Sequence, residues 1–298
     1  MKLIKSSYKI IPQEAGLEGI YKAIERAGRT CYKSEDKITD TSAKEFVDRM
    51  IKSGHCSMLE HGTVYLGRPV FPDIGLNGGY SYETDGFYKK YIDNKFSHVE
   101  VRPFKWSGED GCYVTTNLRV LVENNWLDDL QYICEPTEFH ERRITVHFVC
   151  DRGVSHEFVR HRVMSFAQES TRYCNYSNKD KFGNELTFII PCWIKDLEEK
   201  SYLAHAEYHH AKEDASKQWY DVCMNSEFVY EDLIRLGWKP QQARAVLPNS
   251  LKTELVMTGF ISDWQHFFGL RCDKAAHPQA RELAIPLQEE FIKRGYIN

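Results

Sequence analysis

An arginine-rich segment, residues 152–177, constrains the fold and the chemistry of this chain more than any other stretch. It directly follows the alternating run ITVHFVC (residues 144–150), which predicts a β-strand. It carries four arginines (Arg152, Arg160, Arg162 and Arg172). Because the planar guanidinium matches the oxygen atoms of phosphates and carboxylates, the cluster predicts an anion-binding site. The plainer alternative is a solvated helix face whose arginines pair with Glu157 and Glu169.

Apolar periodicity around this segment predicts an α/β (α+β) fold in which a mixed sheet is flanked by helices. Strands are expected at residues 2–11, 62–67, 144–150 and 251–258. Helices are expected at residues 17–28, 42–53, 154–166, 196–237, 240–247 and 262–270, with a last one from Pro278 that Pro286 interrupts. Ser42 and Glu45 have the spacing of a capping box, and Gly54 suits a left-handed helix end. Residues 55–61 and 166–178 are expected to be loops.

Length and composition predict one cytoplasmic domain covering residues 1–298. The chain has 298 residues, 42% of them hydrophobic, with no long apolar run and no recognisable signal peptide. Nine cysteines without a Cys-x-x-Cys pair favour reduced thiols. The formal charge of −4 confines anion binding to a patch, so neither nucleic acid nor a membrane is an expected partner.

Two other classes of function stay open on residue type alone. A metal-dependent hydrolase would use His55, Glu60 and His61, or His205, His209 and His210. The first set has no third ligand at a zinc spacing, and Glu207 is misplaced for a metalloprotease helix, so we expect no metal site. A non-catalytic RNA-binding protein would use the arginine cluster instead.

The arginine segment resembles the signature of the flavin-dependent thymidylate synthases. In that signature, Arg160-His161-Arg162 is followed by seven residues and then by Ser170-Thr171-Arg172-Tyr173. Four further stretches are similar to the family and stand in the family's order, namely Arg29–Tyr32, Gly54–His61, Ala243–Pro248 and Phe267–Arg271. The resemblance covers about residues 20–67 and 142–293, and residues 68–141 look like an insertion that it does not explain.

The resemblance implies an enzyme that converts dUMP to dTMP. Methylenetetrahydrofolate would donate the carbon and NADPH would reduce a bound FAD, which carries the redox chemistry. The family also implies a homotetramer in which subunits share the active sites. No Gly-x-Gly-x-x-Gly fingerprint is present, so a Rossmann-type cofactor domain is not expected.

The resemblance assigns catalytic and substrate-binding residues position by position. Arg271 matches the arginine that stabilises the N3 anion of the pyrimidine, and Ser170 matches a positioning donor beside the reacting ring. Further dUMP-binding positions are Glu157, Arg160, Gln168, Glu169, Thr171, Arg172 and Arg244.

The resemblance also implies which residues hold FAD. Ser57 matches a contact to the FAD phosphates. Arg160, His161 and Arg162 match the main clasp of the cofactor, which Gln168 adjoins. Phe260, Ser262 and His266 occupy further flavin positions, although several relatives carry Asn and Arg there.

Methylation at C5 of uracil needs the ring to be activated, either by a cysteine thiolate or by cationic donors. Pro191-Cys192-Trp193 partly resembles the nucleophile segment of the folate-only thymidylate synthases, but the histidine that follows the cysteine there is missing. We therefore interpret Cys192 as structural and expect activation by arginine.

Overall fold

A four-stranded antiparallel sheet forms the centre of the computed structural model, which describes residues 1–68, 73–74, 80–81, 87–102, 111–178, 182–183, 185–202 and 214–298. The strands are β1 (Lys2–Ile4), β2 (Ser7–Ile11), β3 (Thr63–Arg68), β4 (Asp73–Ile74), β5 (Tyr80–Ser81), β6 (His98–Arg102), β7 (Gly111–Asn117), β8 (Arg143–Asp151), β9 (Ser165–Gln168), β10 (Thr187–Ile189), β11 (Lys200–Ser201) and β12 (Lys252–Phe260). The central sheet has the order β2-β8-β12-β9. Its longest pairing joins β8 to β12 in the register Cys150 opposite Thr253.

Helices cover both faces of this sheet. They are α1 (Gly16–Tyr32), α2 (Ser42–Lys52), α3 (Lys89–Ile92), α4 (Leu118–Glu123), α5 (Arg152–Phe158), α6 (Asp214–Arg235), α7 (Pro240–Ala243), α8 (Ile261–Arg271) and α9 (Pro278–Lys293). None of the helices within the described ranges has the length and apolar character needed to span a lipid bilayer.

The main hydrophobic core lies between the central sheet and helices α8 and α9. Alternate β8 side chains such as Val146 and Phe148 point to this side, as strand geometry requires, and pack with Trp264, Phe267 and Phe291. The opposite face is more polar. There α1 approaches Ala167 and Val256 through Ala27, a small residue that lets the helix come close.

A second sheet has the order β3-β7-β6, in which β7 and β6 lie within residues 68–141, the expected insertion. Val64 and Val114 of this sheet and Leu121 of α4 form a second core that also contains Ile24 of α1 and Phe46 of α2. β3, which the resemblance places before the insertion, pairs with β7 inside it. A third core surrounds the small sheet β10-β1-β11 and includes Tyr230 of α6.

Several expectations about elements were wrong. The central sheet is antiparallel throughout, and among the described strands only β10-β1-β11 mixes directions. The helix expected at 154–166 ends at Phe158, because Ser165–Gln168 instead pair with β12 as β9. Residues 200–201 form a strand rather than part of a helix, and α6 is described only from Asp214. Residues Cys56–His61 form a 3-10 helix rather than a loop.

Two expectations about helix ends also differ from the structure. Ser42 lies inside α2 and donates to the Glu25 carboxylate (2.8 Å), so it does not cap the helix. Pro286 lies inside a continuous α9, because Leu283 and Leu287 anchor both sides of it in the main core. Gly54 has φ +69°, so its expected left-handed conformation is confirmed.

Candidate active site

Helix α5 begins directly after β8 and forms the first part of the arginine-rich segment. Asp151, the last residue of β8, accepts a hydrogen bond from the Val154 amide (2.6 Å) and caps the helix. Its other carboxylate oxygen accepts from Gln279 of α9 (2.7 Å). α5 is therefore fixed at its first turn, and its far end presents Glu157.

Arg271, the last residue of α8, binds to the end of α5. Its Nη1 donates to Glu157 Oε2 (2.8 Å), its Nη2 to the Glu157 carbonyl oxygen (2.7 Å), and its Nε to His161 Nε2 (3.0 Å). The Arg271 side chain is 15% exposed. Two motifs that lie 110 residues apart in the sequence thus meet in one cluster.

His161 in this cluster is held in its neutral form. Burial, with the charges of Arg271 and His266, lowers the pKa of His161 to about 4. Since Nε2 accepts from Arg271, the ring proton is assigned to Nδ1. The His266 ring lies 5.9 Å from the His161 ring and is solvent-exposed.

Arg160 and Arg162 flank His161 and are exposed. Neither side chain makes a hydrogen bond or ion pair with any residue the structure describes. The alternative of an ordinary ion-paired helix face therefore does not describe these two arginines, because Glu157 pairs with Arg271 instead. Their guanidinium groups are free to bind an external anion.

The turn after β9 forms a second cluster of donors. Ser170 is held by its amide, which donates to the Cys31 carbonyl oxygen at the end of α1 (3.0 Å). Thr171 Oγ1 accepts from Arg244 Nη1 (3.0 Å), which brings the motif of residues 243–248 to this turn. The Arg172 guanidinium lies over the Tyr173 ring (5.4 Å), so two exposed cationic groups, Arg172 and Arg244, border the turn.

Gln168 and Glu169 point into the protein. Gln168 Nε2 donates to Ser155 Oγ (2.8 Å) and Thr253 Oγ1 (3.2 Å). The Glu169 carboxylate accepts from Tyr176 (2.8 Å) and pairs with Lys252 (2.8 Å), and the residue is only 2% exposed. In this arrangement the Glu169 side chain supports the turn from behind.

The remaining expected flavin positions lie apart from these clusters. Ser57 is exposed on the 3-10 helix. Ser262 donates its amide (3.1 Å) and its hydroxyl to Glu141, and the Phe260 ring lies 6.5 Å from the ring of His98 in the insertion. A flavin contact by Ser262 would have to replace the Glu141 hydrogen bonds.

The candidate metal ligands are engaged in other contacts. Glu60 forms an ion pair with Arg119 (2.5 Å), and His61 is buried with its Nδ1 against Thr258 Oγ1 (2.9 Å). Within the described ranges no three His, Cys, Asp or Glu residues are grouped as a metal site would require. His205, Glu207, His209 and His210 lie outside those ranges.

Sequence reasoning missed a set of largely buried charges behind the Ser170 turn. Lys33, Lys252 and Glu254 join Glu169 there through ion pairs. A signal was present, since Lys252 and Glu254 lie on one face of an otherwise uncharged strand. Charged residues at such positions are rarely buried without partners.

Comparison with known proteins defines the class of protein. The family model described as "Thymidylate synthase complementing protein" matches residues 111–294, more than half of the chain. The chain therefore belongs to this family, and the expected family resemblance is confirmed.

Individual relatives carry a more specific name. Proteins named flavin-dependent thymidylate synthase are similar to this chain in Pyrococcus horikoshii (35% identity over 145 residues, covering 49% of this chain and 52% of the relative) and Pyrococcus furiosus (32% over 148 residues, covering 50% and 53%). The chain thus spans about half the length of these curated relatives. A structure of a UMP/dUMP methylase PolB from Streptomyces cacaoi bound with 5-Br UMP aligns over 98% of this chain and 92% of that chain, with a TM-score of 0.43 and 14% identity. Similarity at that level does not define a function.

Proposed function

We propose that this protein is a flavin-dependent thymidylate synthase that converts dUMP to dTMP. Methylenetetrahydrofolate supplies the carbon, and NADPH reduces the FAD. The observation that carries the proposal is the hydrogen bond from Arg244 to Thr171, which unites two family motifs in one cationic turn. The names of the relatives support the same reaction.

The turn at Ser170–Arg172 suits the monophosphate of dUMP. Arg172 and Arg244 provide exposed cationic donors, and Ser170 and Thr171 provide hydroxyl groups beside them. Phosphate oxygens accept strongly from charged donors of this kind. The negative charge of dUMP therefore explains why a protein with a net charge of −4 concentrates arginines here.

Arg271 is the proposed activating group. His161 accepts from Nε of Arg271, and Glu157 accepts one N–H from each of the two terminal nitrogens. Each terminal nitrogen therefore keeps a second N–H that can bind a ligand. A fixed guanidinium placed where negative charge develops on the pyrimidine stabilises the transition state without having to reorient. Glu157 and neutral His161 are then positioning residues for Arg271.

The cysteine route has less support. Burial raises the pKa of the Cys192 thiol, and the charge of Glu282 raises it further. A raised pKa reduces the thiolate, which is the nucleophilic form. The charge of Lys195 lowers the pKa, but the net shift is upward, so arginine activation is the better account.

The unpaired Arg160 and Arg162 fit the phosphate groups of FAD, with Ser57 as a further donor. When bound, the flavin supplies the hydride chemistry. Both arginines face outward, which suits a site completed by a neighbouring subunit of a homotetramer. His266 lies beside this group, whereas Phe260 and Ser262 contact the insertion.

The proposal is tested by the visible absorbance spectrum of the purified protein with and without added FAD. NADPH oxidation and dTMP formation are then followed with and without dUMP. We expect a bound flavin whose reduction by NADPH responds to dUMP, and dTMP as the product. Absence of flavin uptake at saturating FAD would contradict the proposal and favour RNA as the anionic ligand, with binding that weakens steeply as salt rises.

Arg271→Ala tests the activating role. We expect dTMP formation to fall by about a hundredfold or more, as when an electrostatic donor is removed from other active sites, while the flavin stays bound. Arg119→Ala is the matched control, because Arg119 also pairs with glutamates but lies in the insertion. Near-normal turnover in Arg271→Ala would refute the assigned role.

A further inference from the structure

Behind the Ser170 turn lies a largely buried set of ion pairs that joins three elements. Lys33, just after α1, pairs with Glu254 of β12 (Nζ to Oε1, 2.7 Å). Lys252 of β12 pairs with both Glu254 and Glu169, the latter at 2.8 Å. The side chains of Lys33, Lys252 and Glu254 are 20%, 15% and 12% exposed, and that of Glu169 is fully buried.

Backbone hydrogen bonds tie the same three elements together at the turn. The Glu169 amide donates to the Glu254 carbonyl oxygen (2.9 Å), and the Ser170 amide donates to the Cys31 carbonyl oxygen (3.0 Å). At the surface the rings of Tyr32 and Tyr173 lie 5.2 Å apart. The end of α1 therefore fixes the position of the turn.

Lys33 adopts a backbone conformation that normally favours glycine. Its φ of +46° places it in the left-handed region at the end of α1. Helices often end in this conformation, usually with glycine, because a Cβ is strained there. A lysine at this position retains the strain and gains a side chain that reaches Glu254, which indicates a role for that side chain.

The charges favour the paired form. Burial alone would lower the pKa of Lys33, but Glu254 reverses this effect and the pKa is raised. Burial would raise the pKa of Glu254, but hydrogen bonding to His147 and the charges of Lys252 and Lys33 lower it well below its usual range. Without Lys33, Glu254 would keep Lys252 and His147 as partners, but the ion pair that joins the end of α1 to β12 would be lost.

We propose that Lys33 is a positioning residue for substrate binding, which through Glu254 holds the end of α1 against the turn at residues 169–172. The ligand class is the nucleoside monophosphate of the proposed function, on which this assignment rests. Ser170 and Arg172 then face the ligand in a fixed arrangement, whereas Lys33 itself acts from behind the turn.

The experiment compares Lys33→Met, Lys33→Arg and Lys90→Met in the full-length protein. Lys33→Met keeps the aliphatic length and removes the charge, and Lys33→Arg keeps the charge. Lys90→Met is the matched control, because Lys90 pairs with the buried Asp129 (2.5 Å) in the insertion, away from the turn. Two quantities are measured: the steady-state constants for dUMP, and hydrogen exchange at the amides of Glu169 and Ser170.

In Lys33→Met we expect KM for dUMP to rise about tenfold while kcat changes much less, the size of effect that loss of a partly buried ion pair can produce. Exchange at the two amides should rise about tenfold, because their acceptors lie on the elements that Lys33 joins. Lys33→Arg should restore both quantities, and Lys90→Met should change neither.

Unchanged KM and exchange in Lys33→Met, or an equal change in Lys90→Met, would overturn the positioning role. Failure of the proposed function is a separate result, since the wild-type protein would then form no dTMP from dUMP. In that case hydrogen exchange alone decides whether Lys33 fixes the turn, and unchanged exchange would overturn the assignment.

Discussion

Single buried residues in this protein have protonation states that their surroundings impose. His61 is 1% exposed and lies against Thr258 on the polar face of the central sheet. Burial, and then the charge of Arg143, lowers its pKa to about 3. His161 is neutral for similar reasons, and this neutrality lets it accept the Arg271 hydrogen bond.

The lowered pKa of His61 predicts acid sensitivity. An unfolded histidine has a pKa of about 6.5, so below that pH the unfolded state binds a proton at His61 that the folded state does not bind. The stabilising effect is complete above about pH 6.5 and is lost as pH falls towards the folded pKa of about 3. Between pH 7 and pH 5 we expect His61 to account for about 2 kcal/mol of lost unfolding free energy.

Urea unfolding of the wild type and His61→Gln at both pH values measures this loss. The variant should lose about 2 kcal/mol less than the wild type between pH 7 and pH 5, whatever its stability at pH 7. An equal loss in both proteins would show that His61 is protonated in the fold.

Among the elements, α5 shows how a single capping residue, Asp151, fixes the helix that carries Glu157. Asp151 holds the first turn of α5 and is joined by Gln279 to α9. The helix then ends after Phe158, so Glu157 lies at its last turn, where Arg271 reaches it. The position of the Arg271 cluster therefore depends on where α5 begins.

We expect Asp151→Ala to lower the unfolding free energy by about 2 kcal/mol, because it removes a cap and leaves buried donors unpaired. Asp151→Asn keeps an acceptor for the Val154 amide and should cost less. Thr41→Ala is the control, since the Thr41 side chain makes no capping hydrogen bond at α2. Equal denaturation midpoints for Asp151→Ala and Thr41→Ala would contradict the role of this cap.

At the scale of the whole molecule, residues 68–141, which we expect to be an insertion, share a core with helices α1 and α2. Val64 and Val114 pack in one cluster with Ile24 and Phe46. Arg143 Nη1 donates to the Glu60 carbonyl oxygen (2.9 Å), which brings the two ends of the insertion close together. A short linker could therefore span the gap that removal of the insertion would leave. It would not replace the apolar contacts that the insertion makes.

We expect replacement of residues 68–141 by a short glycine-serine linker to abolish cooperative folding, because α1 and α2 would expose an apolar surface. Thermal unfolding and size-exclusion chromatography of this variant, beside the full chain, measure the effect. A soluble variant with a cooperative transition and bound flavin would show that the insertion is an elaboration that the core does not need.

Sequence alone determined the family, most of the described helices, the strands near residues 2–11, 62–67, 144–150 and 251–258, and the candidate residues for anion binding. These are local properties: the alternation in residues 144–150, the left-handed Gly54, and guanidinium groups whose chemistry does not depend on the fold. The strand at 251–258 and the helix at 262–270 were found within two residues of their ends. The order of the motifs along the chain was enough to predict which arginines are candidates for anion binding.

Only the tertiary structure decided which of these residues meet. The sequence of residues 165–168 predicts the end of a helix and the start of a loop, but pairing with β12 satisfies their backbone and makes them a strand. Glu169 turns inward because Lys252 and Tyr176 lie behind it, and Ser262 is engaged because the insertion brings Glu141 to it. Such contacts join residues far apart in sequence, and their energies depend on burial that no local pattern contains.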